Sequence, residues 1–174
     1  QFFNWAFMTH GAWDYAADSR GYTNAVMLEY RSPGWAVRLA RSAVPEESNG
    51  LALDPDLRRR YGDQLEIEAD LPVQLPAGAL RASALWFRNQ AVMGSYRDAL
   101  ARGGSPDVGA VRREQTKTGW GLSLMAPLAE DAGVFLRASA NDGNTETYAF
   151  TEIDQQVALG GQFRGRGADR WGIA

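Results

Sequence analysis

Apolar and polar residues alternate with a period of two along most of this chain, and few folds accommodate that pattern. Between Gln64 and Leu71, Leu65, Ile67, Ala69 and Leu71 fall on one side of an extended backbone, and Gln64, Glu66, Glu68 and Asp70 on the other. Tyr22 to Arg31 sets Tyr22, Val26, Leu28 and Tyr30 against Thr23, Ala25, Met27, Glu29 and Arg31. Thr118 to Leu128 sets Trp120, Leu122, Leu124, Ala126 and Leu128 against Gly119, Gly121, Ser123 and Met125. Trp35 to Val44, Gly133 to Asn141 and Gln155 to Arg164 repeat the design, and Phe2 to Met8 carries Phe3, Trp5 and Phe7 on one side. Leu80 to Ala91 is strand-like, with no clear apolar side. Eight strands are therefore expected, most of them near the roughly 9 to 11 residues that a tilted strand needs to cross a bilayer.

The connections alternate in length. Ser32-Pro33-Gly34, Leu75-Pro76-Ala77-Gly78 and Ala129 to Ala132 read as tight turns, whereas Pro45 to Asp63, Met93 to Thr116 and Asn141 to Asp154 are long and polar. Such alternation gathers the long loops at one end of an antiparallel sheet, the asymmetry of outer-membrane barrels. A soluble antiparallel sheet with one wet face also alternates. Strand length, Trp and Tyr at the tips of the apolar stripes, and charges of both signs on the polar faces favour the membrane barrel.

Composition narrows the chemistry. The 174 residues make one domain of ordinary size, and a net charge of -3 leaves no basic excess for nucleic acid. With no cysteine and one histidine, disulfide frameworks, thiolate zinc sites and multi-histidine metal centres are excluded, and no cofactor is implied. The longest stretch without an ionisable charge, Gln1 to Trp13, is too short and too polar for a membrane-spanning helix. Only Lys117 among the 18 basic residues is lysine, and arginine suits planar, paired contacts with carboxylates and hydroxyl-rich ligands.

No catalytic motif stands out, and the chain is not expected to be an enzyme. Glu66 and Glu68, about 7 Å apart along a strand, match the spacing of an inverting glycosidase pair, but alternating acids are equally the content of a solvated face. His10 has no nucleophile motif around it and reads as a hydrogen-bonded or surface histidine. Arg58, Arg59 and Arg60 read as a loop cluster paired with Asp54, Asp56 and Asp63. Arg38, Arg81, Arg137 and Arg164 would share a side with Glu29, Glu66 and Glu68 if all the apolar faces point one way. In a closed barrel that side is the lumen, where such charges either engage sugar hydroxyls or simply keep the channel wet. Phe135 and Phe87 there would offer faces for sugar rings.

Several stretches together resemble the carbohydrate-selective porin family, the OprB-like porins. They are Phe3-Asn4-Trp5-Ala6, Gly11 to Asp18 (GAWDYAAD), Ala43 to Gly50 (AVPEESNG), Tyr61-Gly62-Asp63-Gln64, Phe87-Arg88-Asn89-Gln90, Asn141-Asp142-Gly143 and Thr145 to Asp154 (TETYAFTEID). The resemblance implies a sixteen-stranded barrel in the Gram-negative outer membrane through which sugars diffuse passively. It places Arg38, Arg41 and Glu66 near the lumen and Pro45 to Asp54 in an external loop. The candidate pore-lining set is thus Glu29, Arg38, Arg41, Glu66, Glu68, Arg81, Arg88, Phe135, Arg137 and Arg164. Eight strands are half of those implied, and Trp171-Gly172-Ile173-Ala174 reads as the opening of another, so an internal segment of a larger barrel is expected. The partners implied are small carbohydrates as permeant solutes and outer-membrane lipid, with no nucleic acid; a homo-oligomer of the full-length porin stays open. A soluble antiparallel β domain that binds glycans is the alternative.

Overall fold

The computed structural model describes residues 5–147 and 152–174. It is all-β with two short helices, α1 (Trp5–Met8) and α2 (Tyr96–Ala101), and a 3-10 turn at Gly109–Val111. The strands are β1 (Ala25–Ser32), β2 (Trp35–Ser42), β3 (Val44–Pro45), β4 (Leu53–Asp54), β5 (Tyr61–Leu75), β6 (Gly78–Gly94), β7 (Arg112–Ala129), β8 (Ala132–Asn141), β9 (Gln155–Arg164) and β10 (Arg170–Ile173). Eight of them form one antiparallel sheet in the order β1-β2-β5-β6-β7-β8-β9-β10, while β3 and β4 pair in a loop. Seven of the expected strands are present. The stretch expected to extend from Phe2 to Met8 begins outside the described residues, and its described part is a single helical turn. The eighth place is taken by β10, which contains the Trp171-Gly172-Ile173 run.

Local chemistry sets the sheet's polarity. β1 and β2 meet at Ser32 and Trp35, leaving Pro33 and Gly34 (φ +80) as the two central residues, the order a type II turn requires. Pro76-Ala77 and Glu130-Asp131 close β5–β6 and β7–β8 equally tightly. A shift of register between Pro127 and Ala129 falls where proline cannot donate to the ladder. The long connections, 43–60, 95–111 and the described residues of 142–154, all lie at the opposite end. There they clasp one another through a Ser95–Thr145 bridge, a bond from the Ser48 hydroxyl to the Thr147 carbonyl, and Glu146, which accepts from Gly94 N (2.7 Å) and pairs with Arg112 (2.7 Å).

Paired residues of neighbouring strands share a face, so the register sorts every side chain. One face carries the rows Leu28–Leu39–Leu65–Trp86–Trp120, Tyr30–Val37–Ile67–Ala84–Leu122–Ala138–Val157 and Trp35–Ala69–Ala82–Leu124–Leu136–Leu159. Among the described residues nothing covers it: Trp86 and Trp120 are each 45% exposed, Leu159 66% and Val157 79%. A fully buried side chain of this size contributes roughly 1.5–3 kcal/mol, and this face forgoes most of that gain in water. Among the described residues the one buried apolar cluster, Ala16, Val44, Ala91 and Met93 with Tyr15 against it, is small and involves the segment that crosses the other face. Among the described residues β1 and β10 each pair on one side only, which leaves the sheet two free edges.

Candidate functional site

The second face of the sheet is polar, and it divides into two regions. Across β1, β2, β5 and β6 the register stacks Glu29–Arg38–Glu66 in one row, Arg31–Ala36–Glu68–Ser83 in the next and Asp70–Arg81 beyond. Strand spacing then brings opposite charges within reach. Arg38 bridges Glu29 and Glu66 and approaches Glu68 at 3.6 Å. Arg31 forks onto Glu29 (2.5 and 3.2 Å), and Arg81 pairs with Asp70 (2.9 Å) and nears Glu68 (3.7 Å). The result is one continuous ladder of alternating charge, partly open to solvent. Glu66 and Glu68, whose spacing suits a glycosidase pair, both face Arg38 as ion-pair partners.

Across β6 to β9 the same face is lined instead by small and polar groups, Gly119, Gly121, Ser123 and Ser139 among them, and it is covered. Residues 7–18 run over it from β9 to β5. Gly11 N donates to Gln156 Oε1 (2.6 Å), Ala12 N to Ser139 Oγ (3.2 Å), and Asn141 Nδ2 to the Ala12 carbonyl (3.0 Å). Asn89 Nδ2 donates to the Asp14 carbonyl, and the Arg137 guanidinium to that of Phe7. The small residues are a footprint. A methyl group built on Gly121 would lie 2.5 Å from His10 Cγ, and one on Gly62 2.7 Å from Ala16 Cβ.

Two buried ionic groups hold this crossing segment. Lys117 Nζ lies 3.4 Å from Asp14 Oδ2, both side chains being 0% exposed, and donates to the Thr145 carbonyl at 3.3 Å. The chain's single lysine therefore ties the segment to the loop that follows β8. Buried Asp18 accepts from the backbone N–H groups of Tyr22 (3.0 Å) and Arg20 (2.9 Å) and from the Arg20 guanidinium. The Tyr22 N–H first, and then Arg20, hold its carboxyl below the usual range.

His10 differs from expectation. It is not a surface histidine: it is buried against Gly121, and among the described residues its Nδ1 has no hydrogen-bond partner. Burial, and next the charge of Arg137, push its pKa down to about 4, so the imidazole is neutral at pH 7.

The structure places the remaining sequence candidates as follows. Phe135 lies on the polar face beneath Arg137, whose guanidinium carbon is 4.4 Å from the ring centre. Phe87 is on that face too, fully buried. Arg164 reaches the turn residue Asp131 at 3.0 Å. Arg41 and Arg88 are corrections: they form the row Arg41–Asp63–Arg88–Thr118, on the face that carries Leu39, Leu65, Trp86 and Trp120. Both lie two residues from a large apolar neighbour on the same strand, a parity that assigns them to the apolar side. Arg41 clasps Asp63 at 2.7 Å and lies over the Tyr61 ring at 3.9 Å. Arg59 and Arg60 pair with Glu114 (2.5 and 3.3 Å), and Arg60 also with Asp54 (3.2 Å).

Among the described residues no three or more His, Asp or Glu side chains gather as a metal site would need, and no helix is long and apolar enough to cross a membrane. No protein-family model, curated protein or solved structure matches the chain.

Proposed function

We propose that this sheet is a stretch of wall of an outer-membrane porin, through which small carbohydrates diffuse passively. The observation that carries the reading is the contrast between the two faces. One presents uncovered rows of Leu, Val, Ile and Trp across the sheet, and the other presents an ion-pair ladder and a polar crossing segment. A bilayer is the apolar covering such a face requires, and water the solvent for its opposite. In lipid the free edges of β1 and β10 must be paired, so the wall belongs to a closed barrel with more strands than these eight.

In this reading the crossing segment 7–18 lies in the lumen and narrows it. Alternating guanidinium and carboxylate groups on the open wall set up a transverse field and offer planar donors and acceptors to sugar hydroxyls. Flux follows the concentration gradient, and no bond is made or broken.

The full-length protein reconstituted in liposomes is expected to admit neutral monosaccharides faster than protein-free liposomes do. Equal rates would refute the proposal. A chain that stays monomeric in buffer without detergent would instead favour the soluble glycan-binding domain.

A further inference from the structure

The arginines of the polar face are not equivalent. Arg31, Arg38, Arg81 and Arg164 each have a carboxylate partner, at 2.5 Å for Arg31–Glu29 and 3.0 Å for Arg164–Asp131. Arg137, in the middle of β8, and Arg170, exposed on the edge strand β10, have no carboxylate within ion-pair distance among the described residues. Arg137 alone is half-buried, with Ser123 and Ala158 opposite it on the neighbouring strands.

What holds Arg137 in place leaves its charge uncancelled. One nitrogen donates to the Phe7 carbonyl, and the plane rests on the Phe135 ring. Its charge is felt by His10, which is neutral at pH 7. Arg137, Phe135 and Phe7 line a cleft of about 710 Å³ that opens at the tight-turn end of the polar face. Two of the three carboxylates that line that cleft are committed to other arginines. Asp70 is taken by Arg81 and Asp131 by Arg164, and Glu130 is exposed on the β7–β8 turn. A cleft of this size admits a sugar ring. A guanidinium fixed by two contacts still has N–H groups for a planar or tetrahedral anion.

We infer that Arg137, seated on Phe135 at this cleft, is the docking point for the single carboxylate or phosphate of a small acidic sugar. The inference rests on the sugar-conducting reading and names a substrate class for it. The Phe135 ring holds the guanidinium plane in place, and the cleft has room for a sugar ring while its anionic group meets the guanidinium. Arg38 and Arg81 cannot serve in the same way, because an incoming anion would displace carboxylates already in place.

Calorimetric titration of the full-length protein in detergent micelles at pH 7 tests this, with glucuronate, glucose 6-phosphate and glucose as ligands. Both anions are expected to bind at least about tenfold more tightly than glucose, and Arg137→Gln to remove that preference. Arg137→Lys keeps the charge without the fork and should retain part of it. Phe135→Leu removes the ring under the guanidinium and should reduce the anion preference by a few fold. The two anions separate the sources: a carboxylate site favours glucuronate, a phosphate site glucose 6-phosphate, and either result supports the inference. Equal binding of anions and glucose by the unmutated protein, or an anion preference that survives in folded Arg137→Gln, would overturn it. Liposome flux of glucose reads the conducting role separately, so flux without anion preference sinks only the subsite.

Discussion

The two regions of the polar face solve the same problem differently. On β1, β2, β5 and β6, charges of opposite sign neutralise one another across the strands and the surface stays open. On β6 to β9 the wall gives up side-chain bulk, and a polar segment lies on it through backbone hydrogen bonds and one buried ion pair. The first region depends on exposed pairs, each worth little on its own. The second depends on groups removed from water, where a lost partner is expensive. Substitutions of similar chemistry should therefore have very different consequences on the two sides of β6.

The largest effect is expected at Lys117. Lys117→Met leaves the buried Asp14 carboxylate without its cation and should cost about 3–5 kcal/mol of stability. Pairing it with Asp14→Leu should recover much of that loss. Denaturant unfolding of both variants in micelles measures the difference, and a single variant as stable as the unmutated protein would break the contrast between the regions.

Acid should loosen the same segment. The docked His10 has a pKa near 4 against an unperturbed value of 6.5, so the docked state binds fewer protons than the free one. Docking is therefore at full strength above about pH 6.5, weakens as the pH falls, and has lost about 3 kcal/mol by pH 4. Limited proteolysis within residues 7–18 should accelerate over that window in the unmutated protein and much less in His10→Asn.

Gly121→Val is expected to cost about 1–3 kcal/mol, because its side chain would occupy the place of the imidazole. The same proteolysis, now at pH 7, would report the exposed segment. The smallest effect belongs to the open ladder: Arg31→Gln removes an exposed pair and should change stability by less than about 1 kcal/mol, diminishing further in salt.

How much of this was legible in the amino-acid order depends on how local the signal is. Seven strands, the tight turns and the assignment of Glu29, Arg38, Glu66, Glu68, Arg81, Phe135, Arg137 and Arg164 to one face follow from period-two alternation, which any few residues reveal. Leu39, two residues away on the same strand, puts Arg41 on the apolar side against what the family resemblance implies, whereas Leu80 to Ala91 shows no clear apolar side from which to place Arg88. At Phe2 to Met8 the alternation was too short to distinguish a strand from a helical turn. The crossing segment left only an indirect trace. Gly121 and Ser139 are small where the other strands carry charge, and His10 and the Ala12 N–H of the second layer lie against them. The Lys117–Asp14 pair joins residues about a hundred positions apart and has no local pattern at all.

A barrel wall meets lipid on one face and water on the other. The chain has no native cysteine, so a nitroxide attached to single cysteines along β5 reports each position separately. In vesicles containing the full-length protein, labels at positions 65, 67 and 69 should be relaxed mainly by oxygen dissolved in lipid. Labels at 66, 68 and 70 should be relaxed mainly by a water-soluble nickel complex. Equal access of the nickel complex to all six positions would contradict the account.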